Sequence, residues 1–135
     1  MTTRLTISSN RRNEFIDITA RVQQAISEGK TTSGMVVCFV PHTTAAITIN
    51  ENADPDVRRD LISKLEREIP QEDGYRHAEG NSDAHLKASL FGFSETVMIE
   101  NGHLVLGTWQ GIYLCEFDGP RRRQVLVKVI PDAQD

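Results

Sequence analysis

One short segment carries most of the side chains that could do chemistry. Residues 77–85 read His-Ala-Glu-Gly-Asn-Ser-Asp-Ala-His, so two imidazoles, two carboxylates and a carboxamide surround one glycine. Each of these polar groups would need water or a hydrogen-bonding partner if it were buried. Neutral His77 and His85 can ligate a transition metal, with Glu79 or Asp83 beside them. The segment predicts a metal or acid/base site, and a polar surface loop is the alternative.

A second cluster, His42-Thr43-Thr44, follows an apolar run that is typical of a strand. The end of a strand holds side chains rigidly while the following loop leaves them accessible. His42 would complete a three-nitrogen metal face with His77 and His85, with one position open to water or substrate. The alternative is that His42 only forms a hydrogen bond to a neighbouring turn.

The third cluster is residues 50–56, which read Asn-Glu-Asn-Ala-Asp-Pro-Asp. Asp54 has a sufficient structural role as a helix cap, and Asp56 is stabilised by the positive end of a helix dipole. Glu51 has neither role, so it is the better candidate for moving protons.

Residues 106–111 and the following residues 116–123 form the fourth cluster, which combines glycines, an amide and arginines. Gln110 offers both a donor and an acceptor, and Arg121 and Arg123 can grip a phosphate with two parallel hydrogen bonds. The alternative is structural, because a strand Trp such as Trp109 usually packs in a core and arginines beside a turn are usually solvated.

Composition limits the class of protein. A chain of 135 residues with net charge −4 and pI near 5.5 fits one domain, residues 1–135, with no broad attraction to nucleic acid or anionic membrane. The sequence shows neither an apolar signal core nor a run long enough to cross a bilayer, so we expect a soluble, cytoplasmic protein. Cys38 and Cys115 lie in apolar runs and are expected to be buried, reduced thiols.

Hydrophobic periodicity predicts the elements of the first half. Leu5 and Ile7 alternate as in a strand, and a helix follows from an Asp17 cap to a stop at Gly29. The run from 35 to 40 predicts a central strand covered on both faces, and residues 45–50 alternate as in a half-buried strand.

The second half begins with a helix and ends in strands. Asp54-Pro55 starts a helix that runs to about Glu68, with an apolar stripe and a solvated charged face. A short helix is expected over 84–90. Asn101-Gly102 predicts a hairpin after a strand over 94–100, and Asp118-Gly119-Pro120 predicts a second hairpin. The fold class is therefore α+β, mainly an antiparallel sheet or sandwich with two main helices.

These motifs also carry a resemblance to a known family. The successive motifs resemble those of the YjbQ family, formerly the uncharacterised family UPF0047, in order along nearly the whole chain. They are residues 42–45, 50–55, 77–85, 107–110 and 118–121. His103 stands where an arginine is common in such sequences and is not counted as a ligand.

The resemblance implies a compact sandwich-like α+β fold, a homotrimer and a divalent metal, zinc or magnesium, near the histidines. It implies a secondary thiamine-phosphate synthase, which joins an aminopyrimidine diphosphate to a thiazole phosphate and releases pyrophosphate. Metal-assisted hydrolysis of a phosphate ester, or a trimeric protein that binds a metal, anion or metabolite without turnover, are the alternatives. The expected site has His42, Glu51, His77 and His85 as catalytic residues, the three histidines as metal ligands, and Thr43, Asn81, Asp83, Gln110, Arg121 and Arg123 around a small phosphorylated substrate.

Overall fold

The computed structural model describes residues 2–133, which form eight strands and three helices. The strands are β1 Thr2–Ser8, β2 Glu14–Asp17, β3 Gly34–Phe39, β4 Ala45–Glu51, β5 Ser94–Glu100, β6 His103–Leu104, β7 Gln110–Glu116 and β8 Arg122–Pro131. The helices are α1 Thr19–Gly29, α2 Pro55–Glu68 and α3 Ser82–Phe91. No described helix has the length and apolar character needed to span a membrane.

Two antiparallel sheets organise the molecule. The larger has the strand order β1-β8-β3-β5-β6, and the smaller has the order β2-β7-β4. One buried cluster takes side chains from both sheets and from α1, including Val22, Val36, Ile47 and Leu114. This arrangement confirms the predicted α+β class with a mainly antiparallel sheet architecture.

A second buried cluster holds α3 against the smaller sheet. Ala84 and Ala88 of α3 pack with Phe15, Tyr113 and Phe117, and no side chain is left exposed among these five. Small residues on α3 let the helix backbone approach the aromatic rings closely. The helix that carries His85 is therefore fixed on a rigid layer.

The predicted second hairpin is wrong. The two strands beside residues 118–120 belong to different sheets, because β7 pairs with β2 and β4, whereas β8 pairs with β1 and β3. Residues 111–118 are all buried, so β7 has both faces covered and is the central strand of its sheet. A local turn signal cannot distinguish a hairpin from a crossing between packed sheets.

Two burial predictions are also wrong in part. β3 is central as predicted, but the outward-facing Met35 and Phe39 are exposed, so only one face of the strand is covered within the chain. Ala45, Ala46 and Ile47 of β4 are all buried, although the alternation predicted a half-buried strand. Because alanine side chains are small, the sequence pattern did not indicate that the second face of β4 is buried. That face is covered by α3.

Most of the local sequence signals, such as helix caps and turn residues, correctly predict the observed helices and strands. α2 begins at Pro55, with Asp54 Oδ1 accepting a hydrogen bond of 2.9 Å from the backbone N–H of Asp56. Asn101 and Gly102 have φ of 52° and 76°, as the turn between β5 and β6 requires. The short strand β2 was not predicted.

Cys38 and Cys115 are buried and unpaired, as expected, and burial raises the pKa of the Cys38 thiol to about 12.

Candidate functional site

The segment after α2 forms an open cavity with the first turns of α3. It has a volume of about 400 Å³ and is lined by Tyr75, Arg76, His77, Ser82, His85 and Leu86. We call it the histidine pocket. It combines two imidazoles, a guanidinium and a hydroxyl with an aromatic ring and a leucine side chain. Most of the accessible lining is apolar and the polar groups contribute little surface, which suits a small molecule with an apolar body and one anionic end.

His77 and His85 meet in this pocket. Their ring centroids lie 5.5 Å apart at an interplanar angle of 87°. Two imidazoles on one tetrahedral ion, with bonds of about 2 Å, would place their centroids about 5 Å apart. The separation of the two rings is thus compatible with two ligands of one cation. Glu79 also approaches, with Oε2 lying 3.6 Å from Nε2 of His77.

A third ligand is not in place. Among residues 2–133, no group of three or more His, Cys, Asp or Glu side chains is arranged to hold a metal ion. His42 accepts a hydrogen bond of 2.9 Å at Nε2 from the backbone N–H of Gln124. That bond occupies the Nε2 lone pair, so the proton of the neutral ring lies on Nδ1. The structure thus unites two of the three predicted metal ligands.

The environment of His42 keeps its ring neutral. Burial lowers the pKa of His42, and the positive charges of Arg123 and Arg121 lower it further, against the opposing effect of Glu116. A neutral ring is the form that accepts the Gln124 hydrogen bond. His42 is therefore a fixed link between the end of β3 and β8 in this structure.

Hydrogen bonds from another part of the chain hold the histidine-rich segment in place. Arg12 donates from Nη2 to the carbonyl of Gly80 at 3.3 Å and to Oδ1 of Asp83 at 2.8 Å, and from Nη1 to Asp118 at 3.2 Å. Asn81, which precedes the first residue of α3, donates to Oδ2 of Asp118 at 2.9 Å. These bonds fix the segment between the two imidazoles.

Asp83 lies inside the protein rather than in the pocket. It is buried and its second oxygen accepts a 3.0 Å bond from Lys87, one helical turn later, which is equally buried. With Arg12 on its other oxygen, Asp83 joins α3 to the β1–β2 connection. Its predicted contact with substrate is replaced by a structural ion pair.

Arg123 is also buried, and its bonds are made within the protein. Its Nε donates to both oxygens of Glu116 at 2.9 and 3.0 Å, and its Nη2 donates to Thr44 Oγ1 at 2.8 Å. Ser9 donates to the same carboxylate at 2.7 Å. Arg123 therefore ties the two sheets together instead of facing an anion. Arg121 remains exposed, with its guanidinium bonded to Asp118.

The Glu51 cluster lies at the other end of β4. Glu51 pairs with Gln110 in the β4–β7 register, and Gln110 Oε1 accepts a 2.8 Å bond from the N–H of Gly107. Six residues of strand separate Glu51 from Ala45, which is about 20 Å at the usual rise of a strand. Glu51 and Gln110 thus lie far from Thr44 within one chain. Thr43 is exposed and has no side-chain hydrogen bond to residues 2–133.

Sequence reasoning missed two groups of residues. Tyr75, Arg76 and Leu86 line the histidine pocket, and their only signal was proximity to the histidines in sequence. Arg12 and Glu116 had no recognisable motif, because their partners are distant in the chain. A glutamate inside the apolar run of β7 was the available signal, since a buried carboxylate needs a partner.

The fold and pocket define the chain as an antiparallel two-sheet α+β protein with a paired-imidazole cavity beside a helix. The family model described as UPF0047 protein YjbQ-like matches residues 3–132. The chain belongs to this family.

Relatives match over nearly full length. The UPF0047 protein of Methanocaldococcus jannaschii is 56% identical over 93% of this chain and 91% of its own length. YugU of Bacillus subtilis, also a UPF0047 protein, is 51% identical over 93% of this chain and 96% of its own. A crystal structure of a family member from Clostridium acetobutylicum has a TM-score of 0.93 at 55% identity, covering 95% of this chain and 99% of that one.

A more distant structure gives the same fold. The protein of unknown function from Sulfolobus solfataricus has a TM-score of 0.93 at 32% identity and covers 98% of this chain and 97% of its own. These comparisons correct the activity that the resemblance implied. The relatives are described only as UPF0047 proteins, and the structural neighbours are described as uncharacterised or of unknown function. The prediction of a thiamine-phosphate synthase is wrong as an assignment for this chain.

Proposed function

We propose that the chain binds a small phosphorylated molecule in the histidine pocket. The observation that carries this proposal is the convergence of His77 and His85, with ring centroids 5.5 Å apart, in one cavity that also holds Arg76 and Ser82. Guanidinium, imidazole and hydroxyl groups can each donate hydrogen bonds to phosphate oxygens.

The walls of the pocket indicate what accompanies the phosphate. Tyr75 and Leu86 supply apolar surface, and Tyr75 is held by a 2.7 Å bond from its hydroxyl to the carbonyl of Pro70. A ligand with a ring or short apolar body would bury surface against them, which is favourable by about 25 cal/mol per Å². We therefore expect an aryl or similar phosphate to bind more tightly than inorganic phosphate.

A divalent cation is the second part of the proposal. The separation of the His77 and His85 rings fits two ligands of one ion, and the phosphate of the bound molecule would supply further oxygen ligands. The cation would neutralise ligand charge. The chain's own part is to orient both imidazoles through the bonds that fix Gly80, Asn81 and Asp83.

Assembly as a homotrimer is the third part. The number of subunits comes from the family resemblance. Support comes from the exposed apolar outer face of the larger sheet, where Met35 pairs with Met98 and Ile130. Exposed apolar patches of this kind commonly mark protein interfaces.

Calorimetric titration of the purified protein with phenyl phosphate and with inorganic phosphate, each with and without Zn²⁺, tests the proposal. We expect saturable binding of phenyl phosphate, tighter than that of phosphate, and a loss of at least tenfold in His77→Ala and His85→Ala. His103→Ala is the matched control, because His103 is an exposed histidine outside the histidine pocket. Equal binding by all three variants and the wild type would remove the histidine pocket as the site.

The pH dependence of binding distinguishes ligation of Zn²⁺ from binding of phosphate without metal. Imidazoles ordinarily lose a proton near pH 6.5, and only the neutral form ligates a metal. Zn²⁺ affinity should therefore fall between pH 7.5 and 5.5, since both rings must be neutral to ligate. Binding of phosphate without metal does not require a neutral imidazole, so it should not show this loss. Zn²⁺ affinity that is equal at both pH values would rule out ligation by the two histidines.

A further inference from the structure

A second concave surface lies between the β1–β2 connection and α2. Two adjoining cavities, of about 210 and 450 Å³, share Arg11, Asn13, Arg59 and Ile62. Phe15 and Arg58 line the smaller one. We call this surface the arginine cleft. It is separate from the histidine pocket, with which it shares no lining residue.

The charges of the cleft are unusual for this chain. The protein carries a net charge of −4, yet Arg11, Arg58 and Arg59 face the smaller cavity together with one carboxylate, Glu14. Glu14 Oε1 already accepts a 2.8 Å bond from the backbone N–H of Asn10. In the smaller cavity, three guanidinium groups against one engaged carboxylate leave an excess of positive charge. The larger cavity adds Glu66 and Arg12, and Arg12 is already bonded to Asp83 and Asp118.

The arginines are not neutralised by strong ion pairs. Within residues 2–133, the side chains of Arg11 and Arg58 make no salt bridge. Arg59 pairs with Asp56 at 2.7 Å, but both side chains are largely exposed, and such surface pairs contribute little. These donors are therefore available to an anion. The sequence pattern had indicated only a solvated helix face for Arg58 and Arg59.

The Arg58 side chain and the backbone that presents Arg11 are held in place. The guanidinium of Arg58 lies over the ring of Tyr113, 5.5 Å from its centroid, and donates weakly to the carbonyl of Phe15 at 3.5 Å. The connection that presents Arg11 is fixed by a 3.1 Å bond from Gly119 N–H to the carbonyl of Arg12. A Cβ at Gly119 would collide with the carbonyl of Arg11, so this close approach depends on glycine.

From these observations we infer that the arginine cleft is a second binding site, for a compact polyanion of the phosphate class. Guanidinium groups bind phosphate oxygens through paired, charge-assisted hydrogen bonds, and a preorganised arginine loses less freedom on binding. The Asn13 amide adds a neutral donor beside them. The cavity volumes fit a molecule with one or two phosphate groups.

The test uses inorganic pyrophosphate as the probe and the full chain carrying His77→Ala and His85→Ala. Removing both imidazoles weakens the histidine pocket, and the variants at Arg11 and Arg59, which do not line that pocket, then assign the remaining binding to the cleft independently of the proposed function. In this background we expect one saturable site by calorimetry, which weakens about tenfold in Arg11→Ala and in Arg59→Ala. Raising the salt concentration should weaken it as well.

Control variants separate a lost site from a lost fold. Arg122→Ala removes an exposed arginine of β8 that does not line the cleft, and should leave pyrophosphate affinity unchanged. Arg11→Lys and Arg59→Lys keep the charge but lose the paired geometry, so they should bind with intermediate affinity and melt like the wild type. Amide chemical-shift changes should centre on residues 11–15 and 58–62. Unchanged binding in both alanine variants, or no saturable binding at millimolar pyrophosphate, would overturn the proposal.

Discussion

Two buried charges, Glu116 and Arg123, link the sheets at the level of single residues. The carboxylate accepts bonds from Arg123 and Ser9, and Arg123 also bonds Thr44, so β7, β8 and the start of β4 meet at one ion pair. A buried pair is not in itself strongly stabilising, because both ions lose hydration. Breaking it by removing Arg123 is costly, because the carboxylate of Glu116 would stay buried without an opposite charge, although Ser9 still donates to it.

Arg123→Ala should therefore lower the free energy of unfolding by about 3–5 kcal/mol. Urea denaturation followed by circular dichroism measures this change. An unchanged dependence of the unfolding free energy on urea concentration shows that the folded and unfolded states of the two proteins are comparable. Arg122→Ala, at the exposed neighbouring position, should change stability by about 0.5 kcal/mol or less. Similar losses in the two variants would mean that Arg123 acts as an ordinary surface residue.

His42 should make stability depend on pH. Burial, followed by Arg123 and Arg121, lowers the pKa of His42 in the folded state, so the unfolded chain binds the proton more readily. The contribution of His42 is present above about pH 6.5, the ordinary value for histidine, and is lost as the pH falls through the lower folded pKa.

His42→Gln tests this assignment, because glutamine can accept the bond from Gln124 but does not titrate. Unfolding free energy measured from pH 8 to pH 5 should fall less steeply on acidification in the variant than in the wild type. The His42 Cε1 proton, followed by NMR, should titrate with a midpoint below pH 6.5. A midpoint above that value would contradict the direction of the shift.

At the scale of helices and strands, the predictions from the sequence are correct where the signal lies in a few adjacent residues and fail where it depends on distant ones. α2 starts at Pro55 and β5 covers 94–100 as predicted, because a cap and a turn are read from a few adjacent residues. β2 and the separation of β7 from β8 were not predicted, because both depend on which distant strand offers hydrogen bonds. The family motifs were visible in the sequence. The sequence did not show that these motifs lie at opposite ends of β4.

The candidate site shows the same division. The sequence could identify His77 and His85 as partners, since α3 and the preceding loop bring them together locally. It could not show that His42 bonds Gln124, or that Asp83 points inward to Arg12 and Lys87. Those contacts join residues up to 82 positions apart. Residue type suggests chemistry, but only packing decides whether a polar group faces a ligand or the core.

The start of α2 offers a direct test of a local signal. Asp54→Ala removes the acceptor for the N–H of Asp56 and should lower the free energy of unfolding by about 1 kcal/mol. Asp54→Asn keeps an acceptor at the same place and should retain most of the stability. Chemical denaturation of the three proteins measures the difference. An alanine variant as stable as the wild type would show that Pro55 alone is sufficient to start the helix.

At the scale of the whole molecule, the outer face of the larger sheet is the feature that one chain leaves unexplained. Met35, Met98 and Ile130 are 41%, 61% and 40% exposed, and they are neighbours across β3, β5 and β8. Phe39 lies further along the same face of β3 and is also exposed. The opposite face of these strands forms the main core. Soluble monomers seldom present contiguous apolar side chains at the centre of a sheet.

We therefore expect the chain to self-associate through this face, and the proposed trimer to have three times the mass of one 15.1 kDa chain. Light scattering coupled to gel filtration at micromolar concentration measures that mass. Met35→Lys with Met98→Lys places two charges where the apolar contact would form, so the mass should fall towards that of a single chain. Leu90→Lys changes an equally apolar, more exposed residue of α3 and should leave the mass unchanged. A wild-type protein that elutes as a monomer would refute assembly at this concentration, and an unchanged mass in the double variant would place the interface elsewhere.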